Sequence, residues 1–470
     1  MSVNQTLPLP ESFKTRMFST LGDEYPEFIR ALESEAPVSV RMHPCLPHAL
    51  YRSCDYEAVP WEASAFYLKQ RPVFGQDPWF HAGAYYVQEA SSMAMGWMYR
   101  MLREKLPQQG LCLLDACASP GGKSTHLLSI MNPEDVLVSN EYVRGRYPAL
   151  VENIIKWGFL NICITQTDTQ KLGKLQDTFD LILIDAPCSG EGLFRKDPES
   201  RLQWSEEQVE VCVARQFKII NDLLPALKPG GILLYSTCTY AYSENEAVME
   251  YLLEAGLLCV TPLNPPGKGW KEKRSPSGAT GWQALPNKVK GEGFFISAFQ
   301  KKQEQSETKD PIQSKISKTE RVPVSPFPSP GGHSFSLGKE GLYFIHSLSA
   351  EVMHKKMNAN KISSRPGLKA GIMKGDKFIP DPELAFWKHM PESLFPELHL
   401  SMKEAVKYLQ RETFSPEEKN AQIGIHKVMY RHLCLGWANV LNQRINNLYP
   451  LNWRLRAHSF IPEIPFPEQV

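Results

Sequence analysis

Between about residues 110 and 300 the chain alternates short apolar runs with longer stretches of helical period. The runs LCLLDA, DVLVSNE, NICITQTD, FDLILIDAP, GGILLYSTC and GFFISAFQ are continuous rather than alternating in hydrophobicity. Between them KSTHLLSIM, YPALVENIIKW, EEQVEVCVARQFKIINDLLPAL and SENEAVMEYLLEA carry apolar residues at helical spacing. Strand–helix alternation with continuously apolar strands predicts an α/β domain whose mostly parallel sheet is buried on both faces. Such sheets bind ligands beyond the carboxyl ends of their strands.

The flanks read differently. Residues 1–100 form a mixed α+β segment: PESFKTRMF and EYPEFIRALES predict helices, PVSVRMHP a short strand, and VPWEASAFY an ordered loop. Residues 303–332 are polar, charged and then proline-rich, a composition that cannot bury a core and predicts a linker. Hydrophobic and aromatic residues return beyond it, which predicts further small domains over 333–395 and 396–470. Lys and Arg number 52 against 51 acids, so no global field draws the chain to a polyanion and any nucleic-acid contact must use local patches. The N-terminus shows no secretory pattern, and no apolar run approaches the roughly 20 residues of a membrane helix, so a cytoplasmic protein with no membrane contact is expected. Ten cysteines include no CxxC pair, which argues against bound metal and for free thiols.

The candidate chemistry sits at the strand ends. The stretch LLDACASPGGKSTHLL invites a P-loop reading, but the required glycine five positions before the Gly-Lys pair is Cys117. The first four strands are read as ending in Asp115, Glu141, Asp168 and Asp185. Acids repel phosphates, so this ordered set describes a nucleoside pocket rather than a triphosphate cradle. Glu141 lies 19 positions after Gly122, the spacing of an acid that accepts hydrogen bonds from ribose hydroxyls. Any one such acid alone reads more often as turn chemistry than as a ligand contact. Cys188 in DAPCSGEG and Cys238 in YSTCTY fall at the ends of adjacent predicted strands, whereas Cys212 on its helix and Cys163 within a strand read as inert core. Two thiols beside a nucleoside pocket suggest covalent catalysis with separate attack and release.

DACASPGGKSTH, DAPCSGEGLFRKDP and LLYSTCTYAYSENEAV resemble three signature motifs of the Nol/Nop/Sun family of RNA cytosine-5 methyltransferases. SVRMHP, HAGAYYVQEASSM and LPNKVKGEGFFISAFQKK extend the resemblance over about residues 30–302, in the bacterial branch called RsmF. The likeness implies a Rossmann-like class I S-adenosylmethionine methyltransferase core over 101–302. It implies that Cys117, Ala118, Ser119, Pro120, Gly121, Gly122 and Lys123 surround the methionine portion of S-adenosylmethionine. Glu141 would then hold the ribose, Asp168 the adenine side, and Asp185 would face methyl donor and target base. Cys238 would be the nucleophile and Cys188 would resolve the adduct. Lys123 reads as orienting Asp185 or as a helix cap or surface residue, and Arg195 and Lys196 as RNA-backbone contacts or solvated charge.

GLKAGIMKGDKFIPDPELAF and LCLGWANVLNQRINNLYPLNWRLR resemble, more loosely, the segment before the RsmF PUA-like domain and that domain's end. A small RNA-binding β-barrel over 396–470 is implied, with Arg444, Arg454 and Arg456 near Trp437, Tyr449 and Trp453, of which at least one is expected to be core. The expected activity is methylation of cytosine C5 in 16S ribosomal RNA or the small subunit, by a monomer. Transfer RNA methylation and a non-catalytic ribosome-assembly role are the alternatives. DNA methylation is disfavoured because DNA enzymes of this type lack the TCTY cysteine.

Overall fold

The computed structural model describes residues 7–47, 50, 56–303, 333–337, 341–412, 422–442, 444–456 and 466. The expected linker therefore lies, save for residue 303, outside the described residues.

Two helices, Glu11–Leu21 and Tyr25–Leu32, open the chain. Their buried residues Phe13, Met17, Phe28 and Leu32 pack on Phe194, Trp204 and Tyr240, which follow the two candidate cysteines. The Phe13 ring meets Phe194 edge-on at 5.0 Å. Next come β1 (Val38–Met42), β2 (Glu57–Val59), β3 (Glu62–Leu68) and β4 (Tyr85–Val87), an antiparallel sheet in the order β2-β3-β1-β4. The stretch VPWEASAFY, expected to be a loop, is a β-hairpin instead. Pro60 and Trp61 make its turn, and Ala65 and Tyr67 alternate inward at strand period.

The parallel strands follow the alternating pattern: β5 (Cys112–Asp115), β6 (Val136–Asn140), β7 (Ile162–Thr165), β8 (Phe179–Asp185) and β9 (Leu227–Thr237). Two of them stop earlier than the sequence reading placed them. β6 ends one residue before Glu141, and β7 ends at Thr165, so Asp168 begins the next helix. The sheet runs on through short β10 (Leu258–Cys259), β11 (Lys271–Arg274), β12 (Thr280–Ala284) and β13 (Phe294–Gln300). β13 lies antiparallel to β9 and carries β12, then β11, outward. Because β5 pairs in parallel with both β6 and β8, the direction of winding reverses there. That is where a sheet of this kind opens a crevice. Val138, Ile182 and Leu233 pack on one face, Leu113, Leu137, Leu181 and Ile232 on the other, which explains the unbroken apolar runs.

The C-terminal third is built onto this frame. β14 (His333–Leu337), β15 (Leu342–Ser347), β16 (Ser364–Pro366), β17 (Leu368–Lys374) and β18 (Lys377–Pro380) follow the undescribed stretch. β16 leaves its neighbours to pair with β7, covering what is otherwise a bare sheet edge. Helix Leu348–Ala359 buries Ala350, Met353 and Met357 in the core behind β5 and β8. Last come β19 (Glu397–His399), β20 (Gly424–Tyr430), β21 (Leu433–Val440) and β22 (Ile445–Asn447) with helix Met402–Leu409, which a Ser401–Glu404 capping box starts. The described residues of this unit form one four-stranded sheet. Its Leu398, Tyr408, Val428 and Leu435 share one apolar core with Val40, Met42 and Tyr85 of the N-terminal sheet and with Trp79 of the short helix Pro78–His81. Contact is close: at Gly158 (φ +76°) an added Cβ would sit 1.8 Å from the Phe386 carbonyl oxygen.

Candidate active site

The turn after β5 is fixed by side chains rather than by its glycines alone. Ser119 Oγ donates to the Arg146 carbonyl (2.9 Å), Arg146 Nη2 donates back to the Ser119 carbonyl (2.8 Å), and Asn153 Nδ2 donates to that of Pro120 (2.8 Å). Gly121 has φ +110°, a conformation open to glycine, and helix Gly122–Ile130 starts directly after it. The turn walls a cavity of about 190 Å³ lined by Cys117, Ala118, Ser119, Pro120, Gly122 and Lys123, with Asp115 and Asp185 below and Tyr86, Gln88 and Lys196 opposite. Cys117 is half-buried, and burial together with the Asp115, Asp185 and Glu141 carboxylates holds its thiol well above the usual cysteine range.

Asp115, one of the four strand-end acids that describe a nucleoside pocket in the sequence, is the most perturbed acid here. Ser124 Oγ donates to its Oδ2 (2.7 Å), while Oδ1 is buried without a hydrogen-bond partner. Burial, aided by Asp185 and opposed by Ser124 and Lys123, pushes its pKa up to about 7.

Across the cavity, Lys123 Nζ meets Asp185 Oδ2 at 2.6 Å, and Ser236 Oγ donates to Asp185 Oδ1 at 2.8 Å. Burial alone lowers a lysine pKa, but the Asp185 carboxylate more than offsets it and keeps Lys123 protonated. The structure thus places Lys123 as the residue that orients Asp185. Its ammonium also lies 5.1 Å from the centre of the Phe294 ring.

β8 and β9 run in parallel with Asp185 opposite Ser236, so the segments leaving them emerge side by side. Cys188 Sγ and Cys238 Sγ come to 3.2 Å, and the Cys238 backbone N–H donates to Cys188 Sγ at 3.3 Å. The hydrogen bond to Cys238, and then burial, push the Cys188 thiol well up.

Two carboxylates that sequence reasoning missed hold these segments. Buried Glu244 accepts from the Ser189 N–H (2.9 Å), the Ser189 hydroxyl and Gln216 Nε2 (3.0 Å), anchoring the residue after Cys188. Buried Glu191 accepts from Trp204 Nε1 and from the Tyr240 N–H, both at 3.0 Å, and pairs with Arg16 of the first helix. Both acids stand inside the quoted motifs, but in GEGLF and YSENEAV they read as helix-start or surface charge.

The remaining candidates separate. Glu141 is 3% exposed, accepts from the Val143 N–H (2.7 Å) and lies 3.8 Å from Arg146 Nε, beside the glycine turn but not on the wall of that cavity. Asp168 is half-exposed and caps helix Thr169–Gly173, accepting from the Lys171 N–H at 3.2 Å. Neither sequence reading of Arg195, RNA contact or solvated charge, describes it. Its guanidinium is buried against Glu292 (Nε to both oxygens at 3.0 Å) and donates to the Gly291 carbonyl, so it ties the Cys188 loop to the segment before β13. Lys196, next to it, is exposed and does face the cavity. In the last unit Trp437 and Tyr449 are core, Trp453 is half-buried, and Arg444, Arg454 and Arg456 are exposed.

The family described as 16S rRNA methyltransferase RsmB/F matches residues 104–300. The N-terminal domain of 16S rRNA methyltransferase RsmF matches 9–90, and the methyltransferase RsmF PUA domain matches 395–455. Ribosomal RNA small subunit methyltransferase F of Aeromonas salmonicida is 30% identical over 418 residues, 84% of each chain. The chain belongs to the RsmF family. The RsmF relative of Shewanella amazonensis is 36% identical over 257 residues, 53% of each chain. Among solved structures, a methyltransferase homolog from Pyrococcus horikoshii superposes with a TM-score of 0.53 at 26% identity, covering 63% of this chain and 96% of its own. NSun6 from the same organism, solved with SFG, gives 0.51 at 18% identity over 63% of this chain and 99% of its own, a likeness of fold. RsmF proteins are Rossmann-like methyltransferases that use S-adenosylmethionine. The cavity fits that ligand: a glycine turn at a helix start, and an unmatched buried carboxylate oxygen at Asp115 suited to a cationic group.

Proposed function

We propose that this RsmF-family chain methylates carbon 5 of a cytosine in 16S ribosomal RNA through a covalent Cys238–cytosine adduct. One observation carries the reading: two sulfurs 3.2 Å apart at the ends of β8 and β9, beside the Lys123–Asp185 pair on the cavity wall.

S-adenosylmethionine would supply an electrophilic methyl group on its sulfonium, and residues 117–123 would hold its methionine end, Glu141 its ribose and Asp168 its adenine side. C5 of cytosine is a weak nucleophile. Addition of the Cys238 thiolate to C6 moves the ring electrons onto C5, which then takes the methyl group. Asp185, fixed by Lys123 and Ser236, hydrogen-bonds the ring and stabilises its protonated form. Loss of the C5 proton to a base returns the electron pair, and the bond between Cys238 and C6 breaks by elimination. Cys188, protonated beside Cys238, assists that release. The target base must be unpaired or flipped out to reach the cleft. Lys196 and the exposed arginines near the C-terminus contact RNA, and the enzyme acts in the cytoplasm as a monomer without a metal ion.

Small subunits lacking 5-methylcytosine, incubated with radiolabelled S-adenosylmethionine, test the assignment. Wild type incorporates label into 16S RNA, Cys238→Ala does not, and Cys188→Ala accumulates an RNA–protein adduct that survives denaturing electrophoresis. Undiminished incorporation by Cys238→Ala would refute the chemistry.

A further inference from the structure

We propose that a second, cation-lined hollow beside the active site binds the sugar-phosphate backbone of single-stranded RNA flanking the target cytosine; this rests on the function proposed above. The hollow, about 570 Å³, lies between the N-terminal sheet and the segment 286–290 that links β12 to β13. Lys69 and Arg71, just past β3, line one side, and Lys288 and Lys290 the other, with Glu35 the one acid on its wall. All four cations are exposed. Two of these cations, Lys288 and Lys290, are paired with carboxylates outside the wall, Glu24, Glu27 and Glu57, an anion-binding arrangement that backbone phosphates can take over.

Its position ties it to the reaction. Arg195 lines this hollow and the next residue, Lys196, lines the cofactor cavity, so consecutive residues separate the two spaces. Glu89, on the cofactor side, accepts from the Glu292 N–H at 2.8 Å, and Arg195 holds Glu292, so the partition between them is rigid. A strand whose base enters the cleft by Cys238 and Asp185 has its neighbouring phosphates led into the hollow.

Two of the cations are held by carboxylates that a phosphate can replace. Lys288 lies 3.9 Å from Glu24 and 3.7 Å from Glu27, and Lys290 pairs with Glu57, all part-exposed contacts. Exposed pairs contribute about 0–1 kcal/mol, so a phosphate readily displaces the carboxylate. Lys290 also lies 4.4 Å from the Tyr67 ring centre, which holds its side chain in place. On the same wall, Asn287 has both amide atoms buried with no hydrogen-bond partner.

The test is equilibrium binding of a short fluorescein-labelled, cytosine-containing single-stranded RNA to the full chain, by anisotropy across a salt series. The variants are Lys69→Gln/Arg71→Gln, Lys288→Gln, and Lys218→Gln on helix Glu206–Leu223 as a charge-matched control. The double variant should weaken RNA binding about tenfold and flatten the log K against log salt slope by about 1.4, or about 0.7 per lost contact. Lys288→Gln should flatten it by about half as much. S-adenosylmethionine affinity and melting temperature should be unchanged for all three. An unaltered slope overturns the proposal, as does an equal loss with Lys218→Gln. Weakening seen with assembled subunits but not with naked RNA also overturns it, and assigns the hollow to a protein contact. Failure of the underlying function looks different: wild type then methylates neither RNA nor subunits, whatever the hollow binds.

Discussion

Asparagine at position 115 keeps the shape of the side chain and removes its titration. Asp115→Asn therefore tests whether this carboxylate faces the cationic end of the cofactor. Burial sets the Asp115 pKa at about 7, with Asp185 pushing the same way and Ser124 and Lys123 opposing. Below that pH the free protein carries the acid form, and a cation binding beside it must drive the proton off. The apparent Kd is then multiplied by 1 + 10^(pKa − pH), about 2 at pH 7 and about 100 at pH 5, so affinity falls about 50-fold between them. The ligand's α-amino group, with a pKa of about 8, stays protonated over this interval and adds little slope of its own. Calorimetry of S-adenosylmethionine binding without RNA, in buffers of different ionisation enthalpy, should show that fall together with proton release. Asp115→Asn should give a flat profile and bind about tenfold or more weakly at pH 7, the loss of one charge-assisted hydrogen bond. The same raised pKa destabilises the ligand-free fold. Above about pH 4 the folded chain holds a proton that the unfolded chain releases, so stability declines as pH rises, by about 4 kcal/mol in all at pH 7. Ligand-free Asp115→Asn should thus melt above wild type at pH 8 and near it at pH 4. A wild-type Kd that is level from pH 5 to 7 refutes the reasoning, as does a variant that keeps the slope.

Arg195→Ala should cost about 3–5 kcal/mol by stranding Glu292, read as a lower melting temperature; weaker RNA binding at an unchanged melting temperature would restore Arg195 as a surface contact. Glu244→Gln should loosen the segment carrying Cys188, so covalent adduct accumulates during turnover while cofactor affinity stays within about twofold. Normal turnover with no trapped adduct would count against that anchoring. Mild hydrogen peroxide should join Cys188 to Cys238, the two thiols giving up two electrons and two protons as peroxide becomes water. Intact mass should fall by two hydrogens, and activity should return with reductant. Peptide mapping that finds sulfinic acid at Cys238 without a cross-link would contradict the geometry.

Much of the catalytic half was legible because parallel strands covered on both faces leave unbroken apolar runs. Their carboxyl ends are then known places. Asp185, Cys188 and Cys238 were found that way, and they come together with Lys123, which only the family resemblance singled out. What escaped depends on tertiary partners. Asp115 was visible as a strand end, but its unmatched oxygen follows from packing around it. Glu244 and Glu191 look like ordinary helix-start charge until the segments they fasten are seen. Arg195 sits in a charge-rich string, yet Glu292, 97 residues away, takes it out of solvent. Asp168 proved to cap a helix, since β7 stops three residues short of it. The hairpin β2–β3 was hidden because Pro60 and Trp61 resemble loop material, although they only make its turn.

The apolar core shared by the first sheet and the last unit also bears on how substrate is chosen. Leu398 and Tyr408 are buried with Val40 and Trp79, and β16 is stitched to β7, so the C-terminal arginines stand at a set span from the cleft. On the function proposed above, the molecule is a fixed-jaw calliper: an RNA that folds to that gauge would engage both jaws at once, whereas a loose strand would have to give up its own freedom to do so.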